Sequence, residues 1–285
     1  MTELITPLLP VFANTALFIA GFFVLTLWVI SVAMRDSSIV DIFWGLGSAA
    51  VAWVAWLTVG GSGTRSALVL LVATAWGLRL GLYIGIRNWG AEDRRYARLR
   101  QHVTEQGRNY ALYSLRAVFG LQGLLMFLCT MPVVVAISRP SSGPPGLIFW
   151  IGFGLSATGF AVEALADWQM ARFRRQRQSP GGVMDKGLWR YSRHPNYFGE
   201  MLVQWGLYLM ACDTGLLGIL TIFAPALLSA MIIGPLGANL LERRLGKKNL
   251  AIKTTSGGPA HSFLGRPVNT DIRFDHWRTS WAPTS

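Results

Sequence analysis

The sequence predicts an all-α membrane protein with seven transmembrane helices. Of its 285 residues, 52% are apolar and only 14% are charged, whereas about a quarter of the residues of an ordinary soluble domain are charged. A bilayer-spanning helix needs roughly 20 consecutive apolar residues. Five charge-free runs reach that length, at residues 4–34, 42–64, 117–138, 140–162 and 214–241. Two shorter apolar runs, at residues 66–86 and 197–212, complete the seven.

The net charge of +12 is a topology signal. Basic residues concentrate at 87–116, at 172–193 and at 243–248, whereas the alternate loops hold Arg65, Arg139 or no basic residue. Because loops rich in Lys and Arg stay in the cytoplasm, we expect the N-terminus outside and the C-terminus inside. This placement argues against nucleic acid as a partner. Since Cys129 and Cys212 both lie in apolar runs, we expect neither a disulfide framework nor a metal site.

The apolar runs make up one predicted membrane domain, residues 1–248. The first run is too long for a cleaved signal peptide and has no basic residues before it. Pro225 should kink the seventh span. Residues 249–285 are polar and show no clear period, which predicts a loop or a partly disordered tail.

A carboxylate stands near the start of the second span. Asp41 lies about one turn inside this predicted helix, where a charge costs roughly 2.5 to 3.5 kcal/mol and normally faces a partner or a cavity. It is therefore a candidate catalytic residue, unless it pairs with Arg35 or Arg79 for packing alone. In the third span, Arg79 and Tyr83 share one helical face.

The fifth span ends in a charged helical face. Glu163, Asp167 and Arg174 recur at i, i+4 and i+11, so they follow one side of the helix out of the membrane. Carboxylates there can bind ribose hydroxyls, and the arginine can bind a phosphate. A salt-bridged helix end among lipid phosphates is the alternative.

The chain from Gly187 to Glu200 is the densest cluster of polar and aromatic side chains, directly ahead of an apolar run. His194-Pro195 predicts a helix boundary, because proline pushes the preceding residue out of the helical region and fits the first turn of the next helix. The new helix should begin near Asn196, with free N–H groups that favour an anion or a carbonyl oxygen. Together these features predict a ligand site, although a solvated basic loop leading into a helix has similar composition.

This cluster, joined to the charged helix before it, resembles the steroid 5α-reductase family and its sterol reductase relatives. Asp41-Ile42-Phe43-Trp44-Gly45, Trp76-Gly77-Leu78-Arg79 and Glu92-Asp93-x-Arg95-Tyr96 resemble the bacterial branch of that family, so the similarity covers about residues 36–248. The resemblance implies an oxidoreductase that binds NADPH from the cytoplasm. Its expected reaction is the reduction of a carbon–carbon double bond conjugated to a ketone, as in 3-oxo-Δ4 steroids.

The resemblance also implies roles for individual residues. The expected catalytic residues are Asp41, Tyr83 and Glu200. Where animal enzymes place a glutamate and a tyrosine around the substrate ketone, this chain most nearly offers Asp41 and Trp76, with Tyr83 two turns on. The expected cofactor-binding residues, with Glu163 added from the helical face, are Glu163, Asp167, Arg174, Tyr191, Arg193, His194, Asn196 and Tyr197.

Two other functions fit parts of the sequence. The Arg-His-Pro-x-Tyr-x-Gly segment also resembles membrane methyltransferases of the isoprenylcysteine type, but the arginines at 172–177 favour a phosphorylated cofactor over S-adenosylmethionine. A non-catalytic sterol or lipid sensor is the third possibility. For the reductase we expect a monomer in a bacterial inner membrane, with a lipophilic substrate entering from the bilayer.

Overall fold

A computed structural model describes residues 6–61, 63–88, 90, 92–139, 143–176 and 184–233. Within these ranges every regular element is helical. The helices, after a short 3₁₀ turn at Thr6–Leu8, are α1 Leu9–Met34, α2 Ile39–Thr58, α3 Thr64–Arg87, α4 Arg94–Glu105, α5 Tyr110–Cys129, α6 Met131–Ser138, α7 Leu147–Gln176, α8 Pro195–Cys212, α9 Leu216–Leu220 and α10 Phe223–Ile233. A second 3₁₀ turn spans Gly187–Arg190.

Six helical segments of the described chain are long and apolar enough to cross a membrane, as expected of an integral membrane protein. They are α1, α2, α3, α5, α7 and the α9–α10 pair, residues Leu216–Ile233. The predicted sixth span does form a helix, α8, but α8 is not among these six. The seven-span count and the orientation across the membrane therefore stay predictions.

Two predicted spans are interrupted at a residue that precedes a proline. The fourth begins earlier than expected, at Tyr110, and breaks at Thr130 between α5 and α6. Pro132 lies in the first turn of α6 and has no N–H to continue the α5 ladder. In the last span, Pro225 cannot donate to the Thr221 carbonyl, and the chain breaks at Thr221. The expected kink is thus a helix break one turn before the proline.

The chain divides into two compact units. Unit 1 contains Met1–Ala157 and Val203–Leu228, and unit 2 contains Thr158–Leu202 and Ser229–Ser285. In unit 1, α2 and α3 pack with their backbones in contact: a Cβ on Gly45 would lie 2.5 Å from the Gly77 carbonyl oxygen. This close approach fixes the start of α2, where Asp41 lies. In unit 2, the second half of α7 packs against the first turns of α8. The predicted tail, residues 249–285, lies outside the described residues.

Candidate functional site

The start of α8 in unit 2 confirms the predicted helix boundary. The helix begins at Pro195, and the His194 carbonyl accepts the N–H of Phe198 at 3.2 Å. Proline suits this position because its missing N–H would have no partner in a first turn. The His194 ring stacks on Tyr197, with ring centres 5.1 Å apart. Two of the predicted cofactor-binding side chains therefore form one aromatic surface at the helix start.

The first turns of α8 lie directly on α7. A Cβ on Gly199 would lie 2.6 Å from the Glu163 backbone nitrogen and 2.7 Å from the Gly159 carbonyl oxygen, so only glycine permits this approach. The Glu163 and Asp167 side chains are almost fully buried, with 2% and 4% of their residue surface exposed. A buried carboxylate needs hydrogen-bond donors. The predicted helical face therefore places two acceptor groups in the interior of unit 2.

The 3₁₀ turn at Gly187–Arg190 is fastened along the same helix. The Leu188 N–H donates to the Gln169 side-chain oxygen at 3.0 Å, and the Trp189 indole N–H donates to the Ala166 carbonyl at 3.0 Å. Gly187 has a left-handed backbone (φ +60°), and a Cβ there would meet the Gln169 side chain. These bonds hold the turn beside Asp167, where the sequence cluster and the charged face meet.

Asn196 has a side chain with an unmet hydrogen-bonding requirement. Its Oδ1 atom is buried and has no hydrogen-bond partner in the described part of the chain. Leaving a buried acceptor unsatisfied costs about 1 to 3 kcal/mol, so such an atom is expected where a ligand donor completes the site. Glu200 lies one turn further along α8 and is half-buried. Unit 2 thus holds buried acceptors on two facing helices.

The remaining predicted cofactor residues are more exposed. Tyr191 exposes 76% of its surface, Arg174 lies exposed near the end of α7, and Arg193 is half-buried. Residues 177–183, which include the predicted phosphate-binding Arg177, lie outside the described chain. The described cations, Arg174 and Arg193, therefore belong to the same unit as the buried carboxylates.

Asp41, in unit 1, lies in a second polar cluster. It is the third residue of α2, as predicted, and its carboxylate accepts hydrogen bonds from the Arg95 guanidinium at 2.7 Å and the Tyr96 hydroxyl at 2.8 Å. The Gln122 amide donates to the Tyr96 hydroxyl at 3.1 Å. The sequence offered Arg35 or Arg79 as packing partners, and Arg95 is the partner instead. These contacts favour the packing interpretation of Asp41.

The cluster fastens α4 to the ends of α1 and α2. Glu92 accepts the Ser37 N–H at 2.8 Å and the Arg100 guanidinium at 2.7 Å, and Arg100 also donates to the Arg35 carbonyl. Asp93 caps α4 by accepting the Arg95 N–H at 2.8 Å. Although burial raises the pKa of Asp93, its hydrogen bonds from Arg95 outweigh that effect, and the net pKa is lowered.

Tyr96 stays a neutral phenol in this cluster. Burial, and then the neighbouring Asp41 carboxylate, raise the pKa of Tyr96 above its ordinary value. Tyr83, the other phenol considered from the sequence, lies on α3 with the Arg87 guanidinium 5.7 Å from its ring centre. Sequence spacing alone did not suggest Tyr96 as the phenol beside Asp41, because 55 residues separate the two.

Unit 1 also contains a small cavity of about 10 Å³, roughly the room that one water molecule needs. Its walls include Trp44 and Ser48 from α2, Trp76 from α3, Thr130 from the break between α5 and α6, and Gln204 from α8. Gln204 was not among the residues that the sequence singled out. In the sequence it is an amide within an apolar run, four residues after Glu200.

Comparison with known proteins places the chain in a family. The family model described as "Protein of unknown function (DUF1295)" matches residues 27–253, so the chain belongs to this family. A protein of Schizosaccharomyces pombe described as uncharacterized is 30% identical over 226 residues, covering 69% of this chain and 65% of the yeast protein. The match thus covers less than two thirds of that relative. No solved structure matches the chain.

Proposed function

We propose that this member of the family reduces the carbon–carbon double bond of a lipophilic enone with NADPH, as its resemblance to the steroid 5α-reductases implies. The observation that carries the proposal is the buried Oδ1 atom of Asn196, which has no hydrogen-bond partner in the described part of the chain and belongs to the same unit as the buried Glu163 and Asp167. The Asn196 acceptor is satisfied if a bound ligand donates to it. A dinucleotide, with its ribose hydroxyls and carboxamide N–H groups, is such a ligand.

The residues of unit 2 fit NADPH by their chemistry. Glu163 and Asp167 would accept hydrogen bonds from ribose hydroxyls, and Asn196 Oδ1 would accept an N–H of the nicotinamide carboxamide. Arg174 and Arg193 would pair with phosphate groups, for which guanidinium groups have matching geometry. Tyr191 and the His194–Tyr197 stack would supply aromatic contacts. When bound, the reduced nicotinamide would supply the hydride.

Glu200 has a different proposed role, because it lies one turn inside α8. It would either orient the nicotinamide carboxamide or relay a proton. The substrate we propose is a 3-oxo-Δ4 steroid or a similar flat lipid that enters from the bilayer. The cofactor would bind on the cytoplasmic side of a bacterial inner membrane, because residues 172–193, which lead into this site, form one of the basic segments of the chain.

Titration of the purified protein with NADPH, NADH and S-adenosylmethionine, each followed by protein fluorescence, tests the proposal. We expect saturable binding of NADPH, weaker binding of NADH and no binding of S-adenosylmethionine. The second stage is NADPH oxidation on addition of cholest-4-en-3-one, with detection of the saturated ketone. Binding of S-adenosylmethionine without binding of NADPH would instead indicate a methyltransferase. If neither cofactor binds, both the reductase and the methyltransferase functions are contradicted.

A further inference from the structure

Helix α4 has one buried side and one charged side. Tyr96 and Val103 are buried and recur at i and i+7, so they mark the side that packs on the rest of unit 1. Arg94 and Arg98, at i and i+4 on the opposite side, are exposed. This division of apolar and basic residues is typical of a helix at the interface between a membrane and water.

The position of α4 in the chain places it at one surface of the membrane. It connects α3 with α5, and both of these helices are long and apolar enough to span a bilayer. Tyr96 donates to Asp41 at the start of α2. Arg100 donates to the Arg35 carbonyl at the end of α1. Because consecutive spans cross a membrane in opposite directions, all four of these helix ends lie on one side, and α4 lies at their level.

Exposed apolar side chains beside α4 mark the edge of the bilayer. Ile86, directly before Arg87 in α3, exposes 72% of its surface, and Leu112 in the first turn of α5 exposes 56%. Large apolar side chains with this exposure are expected where a membrane protein faces lipid. Arg87 and Arg116, which is one turn beyond Leu112, are exposed as well. Their guanidinium groups therefore reach the level of the phospholipid head groups.

The arginines of this region outnumber its exposed carboxylates. Six of them are exposed and form no ion pair with any residue that the structure describes, and we call these six the basic surface: Arg35, Arg87, Arg94, Arg98, Arg108 and Arg116. Glu105 is the only exposed carboxylate among the described residues from 35 to 116. The other four are half-buried and accept hydrogen bonds within the chain. The basic surface is therefore a positive patch with which no described carboxylate pairs.

We propose that the basic surface binds the phosphate groups of anionic phospholipids in the surrounding leaflet. Guanidinium groups match the geometry of phosphate oxygens. A phospholipid also contacts the exposed apolar side chains of α3 and α5 through its acyl chains, whereas a nucleic acid would supply only the negative charge. All six arginines belong to unit 1, so binding at this surface is independent of the proposed reductase activity.

The test is the affinity of the purified full-length protein for phosphatidylglycerol and for phosphatidylcholine with the same acyl chains, measured by native mass spectrometry. We expect tighter binding of phosphatidylglycerol. Arg94→Gln combined with Arg98→Gln should weaken that binding about 5- to 30-fold, since each arginine near an anionic surface contributes about fivefold. Binding of phosphatidylcholine should not change. Arg94→Lys combined with Arg98→Lys keeps both charges and should retain most of the affinity.

Two further variants separate the basic surface from the net charge of the chain. Glu105→Gln removes the exposed carboxylate of α4 and should strengthen phosphatidylglycerol binding by up to about fivefold. Arg175→Gln combined with Arg190→Gln removes two exposed arginines of unit 2 and should change it much less. Added NaCl should reduce the difference between the wild type and the α4 glutamine variant, because salt screens exposed charges.

Equal affinity for the two lipids, or wild-type affinity of the α4 glutamine variant, would overturn the proposal and leave these arginines as topology signals alone. An equal loss in the unit 2 variant would also overturn it, because net charge would then decide binding. A DNA oligonucleotide is titrated in parallel, and tighter binding of it that is lost in the same α4 variant would assign the surface to nucleic acid instead. If that variant is not recovered folded, the two single glutamine variants carry the test, and wild-type affinity in both would overturn the proposal.

Discussion

The start of α2 and the start of α8 are both polar ends of apolar helices, but they differ in how their polar atoms are satisfied. At the start of α2, both oxygens of Asp41 accept hydrogen bonds from α4. At the start of α8, the Oδ1 atom of Asn196 is buried without a partner in the described chain. A satisfied cluster needs nothing further and stabilises the fold. An unsatisfied acceptor indicates a place completed by a ligand.

The largest expected effect is on the satisfied cluster. Arg95→Met leaves the carboxylate of Asp41, which is 18% exposed, without its cation. Loss of one partner of a buried pair costs about 3 to 5 kcal/mol, and we expect the lower end because Tyr96 still donates and Arg95 itself is largely exposed. Asp41→Asn in the same chain should recover most of this loss. Thermal and denaturant unfolding of the two single variants and the double variant measure the coupling.

The same three variants separate packing from catalysis at Asp41. If Asp41 only holds α4 in place through Arg95 and Tyr96, a folded Asp41→Asn protein should retain enone turnover. A stable Asp41→Asn protein that has lost turnover would show that Asp41 acts in catalysis. The starts of α2 and α8 would then no longer differ in role.

The next effect concerns the cations of unit 2. Arg174→Ala should weaken NADPH binding by about 1.5 to 3 kcal/mol, the range for hydrogen bonds to charged groups, and should leave NADH binding nearly unchanged because NADH lacks the 2′-phosphate. Fluorescence titration of both cofactors measures the difference. Arg98→Ala, an exposed arginine of α4 in unit 1, is the control. Equal affinity of the wild-type protein for NADPH and NADH would exclude a 2′-phosphate site.

A matched pair of asparagines tests the comparison directly. Asn109 caps α5, and its Oδ1 atom accepts the N–H groups of Ala111 and Leu112. Asn109→Ala should lower the free energy of unfolding by about 1 kcal/mol, as for other helix caps, without changing turnover. Asn196→Ala removes an acceptor with no described partner, so it should leave stability unchanged but weaken NADPH binding by about 0.5 to 1.5 kcal/mol. Unfolding curves and NADPH titrations of both variants measure these two effects. If Asn196→Ala lowered the free energy of unfolding and left NADPH binding unchanged, Asn196 would be a structural residue and not a cofactor-binding one.

Local signals predicted the start of α8 well, and non-local contacts escaped prediction. His194-Pro195 predicted the helix boundary because the effect of proline on its neighbours needs no tertiary information. The Asp41–Arg95 pair joins residues 54 positions apart, and nothing in the spacing of either residue indicates the other. The helix breaks at Thr130 and Thr221 lie just before Pro132 and Pro225, and the sequence shows both prolines, but the continuous apolar runs around them predicted unbroken spans.

The smallest expected effect uses pH to test whether Asp93 fastens α4 by its charge. Its pKa is lowered in the folded protein because hydrogen bonds from Arg95 outweigh burial. A lowered pKa gives stability that is fully present above the unfolded pKa, about 3.9, and is lost as pH falls through the folded value. Asp93→Asn keeps a good helix cap without the charge, so it should cost about 0.3 to 1 kcal/mol at pH 7. The melting temperatures of wild type and variant should then converge below pH 4, where the Asp93 carboxylate becomes protonated. A difference that persists unchanged at low pH would show that the side chain acts through hydrogen-bond geometry, and that the satisfied cluster around Asp41 does not depend on the Asp93 charge.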